Sequence, residues 1–209
     1  MELHKEFFKQ DTVKVAKALL GKIIQYKGTA GMIVETEAYK GSPDMASHAA
    51  KRTPRSAIMF DTFGKFYIYF VYGNYFCLNI TTEEYKPGAV LIRALQPLEG
   101  IKIMKKRRGT KDVHNLTSGP GKLCQALGIT KKLNRTEVND KIKIYEPDNK
   151  LMKKLNDINK KNSLSLKPLS PSKLSPKFKI VAAERIGIKK AKHLKWRFYI
   201  KGNEFVSKK

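Results

Sequence analysis

Apolar residues in this chain gather mostly in short β-rich runs of strand length. Only short stretches show the three-to-four spacing of a helix. The clearest such signal is Lys65-Phe-Tyr-Ile-Tyr-Phe-Val-Tyr72, followed by Gly73-Asn74 and then Tyr75-Phe-Cys-Leu-Asn-Ile-Thr-Thr82. Two β-rich runs joined by Gly-Asn predict a hairpin, because glycine accepts the positive φ of a tight primed turn. Further strands are predicted over residues 22–26, 31–39, 88–94, 141–145, 178–182 and 196–200. Val13, Ala16 and Leu20 share one helical face between Asp11, placed as an N-cap, and Gly21, placed as a C-terminal stop. A basic helix is expected over residues 97–108, and Gly119-Pro120 opens a shorter one that ends at Gly128. Residues 40–56 read as a loop. Strand runs outnumber helices, and the connections are too short for repeated βαβ crossovers. The expected class is therefore α+β, with a largely antiparallel sheet and flanking helices.

Residues 148–177 differ in kind, with eight Lys against two Asp, three Pro, and many Asn and Ser. Such a stretch buries too little to offset its ordering entropy, so a flexible insertion is expected there, within one domain spanning 1–209. Charge sharpens the picture more than length does. The 209 residues carry 43 Lys and Arg against 18 Asp and Glu, a net +25. A surplus of that size in a chain with 41% hydrophobic residues points to a folded protein with a polyanionic partner. No apolar run has the ~18 residues of a membrane span, and no signal core follows Met1, so an intracellular protein without a membrane is expected. Cys77 and Cys124 are too few for a disulfide framework, and His4, His48, His114 and His193 show no metal-ligand spacing. Neither a metal nor an organic cofactor is expected.

Glu35 and Glu37 lie two apart on a predicted strand and so share a face. With Asp44 nearby they could serve acid–base work or a metal-dependent nuclease, though nothing completes a metal cluster. Tyr67, Tyr69, Tyr72 and Tyr75 crowd the hairpin, which suits base stacking on a basic protein as well as ordinary sheet packing. Arg93 stands inside the apolar run Val90-Leu-Ile-Arg-Ala94, a costly position unless its guanidinium meets a carboxylate or a phosphate. His48 falls in the loop after the carboxylate strand, and Asn79 faces either the hairpin interior or its groove. Arg52, Arg55, Lys105, Lys106, Arg107 and Arg108 are candidate phosphate contacts.

Taken together, Glu35-Thr-Glu-Ala-Tyr39, Asp44, Ala46-Ser-His48, Thr53-Pro-Arg55, Met59-Phe60 and Tyr67-Ile-Tyr69 resemble the alkyladenine (3-methyladenine) DNA glycosylase family. The likeness continues through Tyr72-Gly73, Cys77-Leu-Asn79, Leu91-Ile-Arg-Ala-Leu95, Ser118-Gly-Pro-Gly-Lys-Leu-Cys-Gln-Ala-Leu127, Arg185-Ile-Gly-Ile188 and Trp196-Arg-Phe-Tyr199. The resemblance implies a single domain with a curved sheet and a protruding, DNA-inserting hairpin. It also implies a monomer that flips alkylated purines such as 3-methyladenine and 7-methylguanine from double-stranded DNA and hydrolyses the N-glycosidic bond. Hypoxanthine and ethenoadenine are further substrates within its scope. Glu37 would activate water, Arg93 would help hold the water and the sugar-phosphate, and Tyr39, His48 and Tyr69 would clasp the base. Asn79 would screen exocyclic groups, Tyr72 would fill the vacated place in the stack, and Arg52, Arg55 and Lys122 would meet the backbone. Gln96 and Lys51-Arg52 depart from the family pattern. The competing readings are a lyase using a lysine nucleophile and a non-catalytic nucleic-acid-binding module.

Overall fold

The computed structural model describes residues 1–71, 73–148 and 179–208. Both the expected insertion, apart from Asp148, and Tyr72 lie outside the described residues. The described chain forms eight antiparallel strands and four α-helices: α1 (Thr12–Ala18), β1 (Ile23–Tyr26), β2 (Thr29–Lys40), α2 (Ala57–Asp61), β3 (Phe66–Val71) and β4 (Tyr75–Thr82). These are followed by β5 (Gly88–Glu99), α3 (Ile101–Arg108), α4 (Pro120–Leu127), β6 (Lys143–Tyr145), β7 (Ile180–Ala183) and β8 (Arg197–Ile200). Strand order is β3-β4-β5-β2-β1-β6, with β8 paired to β2 and β7 to β8. The twelve-residue β2 serves two neighbours in succession, β1 at Thr29–Met32 and β8 at Glu35–Glu37, while β5 runs along it from Ala30 to Lys40.

Residues paired directly across antiparallel strands point to the same face. The register therefore gives each face of the sheet its own chemistry. Phe66, Ile80, Val90 and Ala38 form one cross-strand row, all fully buried. Ile68, Leu78 and Ile92 extend that face, and α1 (Val15, Ala16) and α4 (Leu123, Cys124, Leu127) belong to the same core. Each fully buried side chain of this size contributes about 1.5–3 kcal/mol. The next row, turned to the opposite face, reads Tyr67, Asn79, Leu91, Glu37, Arg197. That face carries a smaller apolar cluster around Ala49, Ile58, Met59 and Ala89, and it carries the polar groups.

Local signals explain most of the elements. Asp11 caps α1 by accepting hydrogen bonds from the N–H groups of Val13 and Lys14, both at 3.0 Å. Gly73 takes φ 68° at the hairpin turn, and α4 runs from Pro120 to a left-handed Gly128. One boundary differs from expectation: residues 97–99 continue β5, and the basic helix begins only at Ile101. Pro97 fits a strand there because β4 pairs β5 over Gly88–Leu91, and among the described residues no strand lies on that side of the later residues to receive an N–H. The short α2 falls just past the expected loop, and His48–Ala50 within that loop form a 3₁₀ turn.

Candidate active site

A cavity of about 620 Å³ opens on the polar face of the sheet. Its floor is set by β2 and β5. Between Glu35 and Thr36 the partner on β5 changes from Ala94 to Ile92, so Arg93 is an extra residue in that strand. A bulge of this kind re-aims a side chain, and here it sends Arg93 between the two buried glutamates. Arg93 Nη1 stands 3.3 Å from Glu37 Oε2, and its Nε lies 3.5 Å from Glu35 Oε1. The apolar run around Arg93 is thus matched by carboxylates, as the cost of burying a guanidinium requires.

Glu37 is fully buried beneath the cavity and is not itself among the lining residues. Among the described residues its carboxylate has three partners, and all of them line the cavity. Tyr39 donates its hydroxyl to Oε2 at 2.7 Å, Ile186 N–H donates to Oε1 at 2.7 Å, and Arg93 approaches Oε2. An ionised carboxylate has about four lone-pair sites, so Glu37 keeps capacity for one more donor. Burial, with the Glu37 carboxylate next, holds the Tyr39 hydroxyl protonated far above its ordinary range, so Tyr39 acts as a donor.

Glu35 is equally buried but is satisfied by other groups: it accepts from Arg197 Nη1 at 2.9 Å and from Ser207 N–H at 2.7 Å. Asp44 is clasped by Arg185 through two bonds of 2.6 and 2.7 Å, with both side chains wholly buried. Arg185 also donates to Ala38 O and lies over the rings of Tyr39 and Trp196, 4.7 and 5.4 Å from their centroids. This pair ties the loop carrying Ala46 and His48 to the segment carrying Ile186 and Gly187, so two walls of the cavity are held together. Glu35, Glu37 and Asp44 therefore do not converge. Among the described residues no group of three or more His, Cys, Asp or Glu is arranged to hold a metal ion.

The remaining walls are aromatic. Tyr67 and Tyr69 lie 5.2 Å apart on β3, and the His48 ring meets Tyr69 edge-on at 4.8 Å. His48 Nδ1 and the Tyr67 hydroxyl share a hydrogen bond of 2.9 Å. Burial first, and the charge of Arg55 second, lower the pKa of His48, so its ring is neutral at pH 7. Asn79 lines the cavity and donates from Nδ2 to Tyr67 O at 3.0 Å, which fixes its amide. Cys77 also lines it, but burial pushes its thiol up to about 11, leaving little thiolate. At the mouth, Gly121 allows α4 to press against Tyr75: a Cβ there would sit 2.9 Å from that ring. Arg108 and Lys122 stand beside it. The whole is a flat, electron-rich slot above a fixed carboxylate, suited to a planar, electron-poor ligand.

The chain matches the model for methylpurine-DNA glycosylase over residues 6–204. It belongs to that family. A Clostridium perfringens protein named "Putative 3-methyladenine DNA glycosylase" is 42% identical, with all of both chains covered. Proteins of the same name from Clostridium acetobutylicum (39%, over 99% of this chain and 98% of that one) and Methanoculleus marisnigri (41%, over all of both) are similar throughout. Set within the family, the residues to which the resemblance assigns roles divide into four groups. Tyr39, His48, Tyr69, Asn79 and Arg93 line one cavity, with Glu37 directly beneath it. Lys122 lines the mouth and is bonded to Asn115 Oδ1. Arg52 and Arg55 lie outside the cavity. Arg52 is paired with Asp61 at 2.7 Å, and Arg55 borders a separate groove. Tyr72 is outside the described residues. Arg185, Arg197 and Ile186 are the participants that sequence reasoning missed. Each sits in a quoted motif, but no local pattern announces partners about 140 to 160 residues away.

Proposed function

We propose that this member of the family is a monofunctional DNA glycosylase that removes alkylated purines from duplex DNA with Glu37 as the base that activates water. The observation carrying this reading is the buried Glu37 carboxylate, shared by three cavity-lining groups and positioned beneath an aromatic slot large enough for a purine. A stacked base hides its glycosidic bond, so the nucleotide is turned out of the helix, at a cost of a few kcal/mol that damage reduces. Tyr72 takes the vacated place in the stack, and Lys122 and Arg55 meet phosphates. Arg52, already paired with Asp61, contributes less than the sequence suggests.

In the slot, Tyr39, Tyr69 and His48 enclose the purine. A cationic 3-methyladenine or 7-methylguanine is attracted by the tyrosine faces, and a neutral His48 does not repel it. As the C1′–N bond breaks, its electron pair neutralises the purine, and the sugar approaches an oxocarbenium ion. The anionic Glu37 stabilises that charge, water oxygen bonds C1′, and the water's proton passes to Glu37. Arg93 holds the carboxylate from the floor. A neutral lesion such as hypoxanthine needs a proton on the leaving base, and His48 is not poised to supply it, so cationic lesions are the faster substrates. Asn79, its amide fixed, screens the purine edge. The enzyme works as a monomer wherever the cell's DNA lies.

The test is release of 7-methylguanine from a methylated duplex in EDTA, with borohydride added in parallel. Free base, an intact abasic strand and no covalent adduct are expected. Activity lost in EDTA indicates a metal-dependent reaction, a trapped protein–DNA adduct indicates a lyase, and binding without base release indicates a non-catalytic module. Each of these outcomes rejects the proposal.

A further inference from the structure

A second concavity, about 270 Å³, opens at the outer edge of β3. Among the described residues β3 pairs with no strand but β4, so its other side needs substitute partners. The segment after α4 supplies them. Phe66 N–H donates to Thr136 O, Arg135 N–H to Phe66 O, and Ile68 N–H to Asn134 Oδ1. This docking sets Lys131 and Arg135 on one bank of the groove. Arg55 stands on the other, beside Ser56, whose hydroxyl is tied to Lys51 O and Thr53.

Three exposed cations thus border one concavity, and among the described residues none of them has a carboxylate partner. The acidic side chains closest in sequence are already engaged, Asp61 by Arg52 and Glu137 by Lys5. Like charges gathered without a counter-charge repel, and an anion placed between them turns that repulsion into attraction. Two of the three are arginines, whose planar forks match phosphate oxygens. The groove shares Tyr67 and Tyr69 with the main cavity, and it follows β3 to the half-exposed Phe70, two residues before Tyr72.

We infer that this groove is a phosphate-binding site, distinct from the base cavity, that takes a phosphodiester of the same duplex beside the everted nucleotide. The inference rests on the glycosylase reading for its choice of duplex DNA as the source of phosphate. Lys131, Arg135 and Arg55 grip one stretch of backbone on the β3 side, while Arg108 and Lys122 stand on the α4 side of the base cavity. The β3 edge and the α4 side of the base cavity would each carry an anchor.

The test measures binding of an undamaged duplex against salt for wild type, Lys131→Gln/Arg135→Gln, and the control pair Lys14→Gln/Lys27→Gln. The control pair removes the same charge from exposed sites on α1 and the β1–β2 turn. Each phosphate contact contributes about 0.9 to the slope of log K against log salt. The groove variant should lose roughly 2 from that slope, and the control should match wild type. Charge reversal at the same two positions should weaken binding further, with melting temperatures confirming that all variants fold. An equal slope in the groove variant and wild type overturns the inference, as does an equal loss in the control. Base release is not part of this measurement, so failure of the glycosylase reading shows separately as absence of free 7-methylguanine.

Discussion

Glu35 and Glu37 sit two residues apart on one face of one strand, both with no exposed surface and both facing Arg93. Their surroundings nevertheless differ. Glu35 is closed in by Arg197 and the Ser207 backbone, groups from the end of the chain that lie outside the cavity lining. Glu37 is held by Tyr39, Ile186 and Arg93, every one of which lines it. Burial and charge therefore do not separate the carboxylate proposed to react from its structural neighbour. What separates them is whether the groups that satisfy each carboxylate also border the space where a ligand sits. Arg93, released from the strand register by the bulge, couples the two.

The comparison can be broken at several points. The largest loss of stability is expected from Asp44→Asn, which leaves Arg185 buried against a neutral partner at a cost of about 3–5 kcal/mol. Because Arg185 precedes the Ile186 N–H that holds Glu37, base release by the folded fraction should fall as well. Urea unfolding together with an excision assay reads both effects. Glu35→Gln should cost less, about 2–3 kcal/mol, since the amide oxygen accepts from only one of Arg197 and Ser207 and its NH2 faces the other donor, while Arg197 keeps its bonds to Glu184 O and Lys208 O. Unlike Asp44→Asn, it should leave base release per folded molecule near wild type, and a large drop would show that Glu35 takes part in the chemistry.

Gly121→Ala should cost about 1–3 kcal/mol by forcing a methyl group against Tyr75. Its mark on function should be weaker binding of a lesion duplex, read by titration. The smallest effect concerns pH. His48 has a lowered pKa in the folded protein, mainly from burial and then from Arg55, so between that value and the unfolded value of about 6.5 the unfolded chain holds the extra proton. Its contribution to stability is complete above pH ~6.5 and is lost as pH falls through that window. His48→Gln should flatten the pH dependence of the melting temperature there, and an unchanged slope would contradict the assignment.

Much of this arrangement is legible in the sequence because the determining signals are local. Gly73-Asn74 marks the hairpin, Asp11 marks the start of α1, and Pro120 with Gly128 brackets α4. Arg93 is visible as a lone charge in an apolar strand, and its partners are the very glutamates that alternation places on one face. What escapes local reading depends on contacts between distant segments. Pro97 looks like a helix start until β4 is seen to stop pairing at Leu91. Asp44 looks like a third carboxylate beside Glu35 and Glu37 until Arg185, 141 positions away, is found closing on it. Arg197 reaches Glu35 only because β8 takes the place along β2 that β1 vacates. Family resemblance supplied the order of the motifs, but the long-range register decides which glutamate lies under the cavity.

The most direct test compares single-turnover release of 7-methylguanine by wild type and Glu37→Gln at saturating enzyme, with binding of the same duplex measured alongside. Loss of a general base should slow release by about 10²–10⁴-fold while affinity stays close to wild type. Release at the wild-type rate by Glu37→Gln would contradict the central claim that this carboxylate drives the reaction.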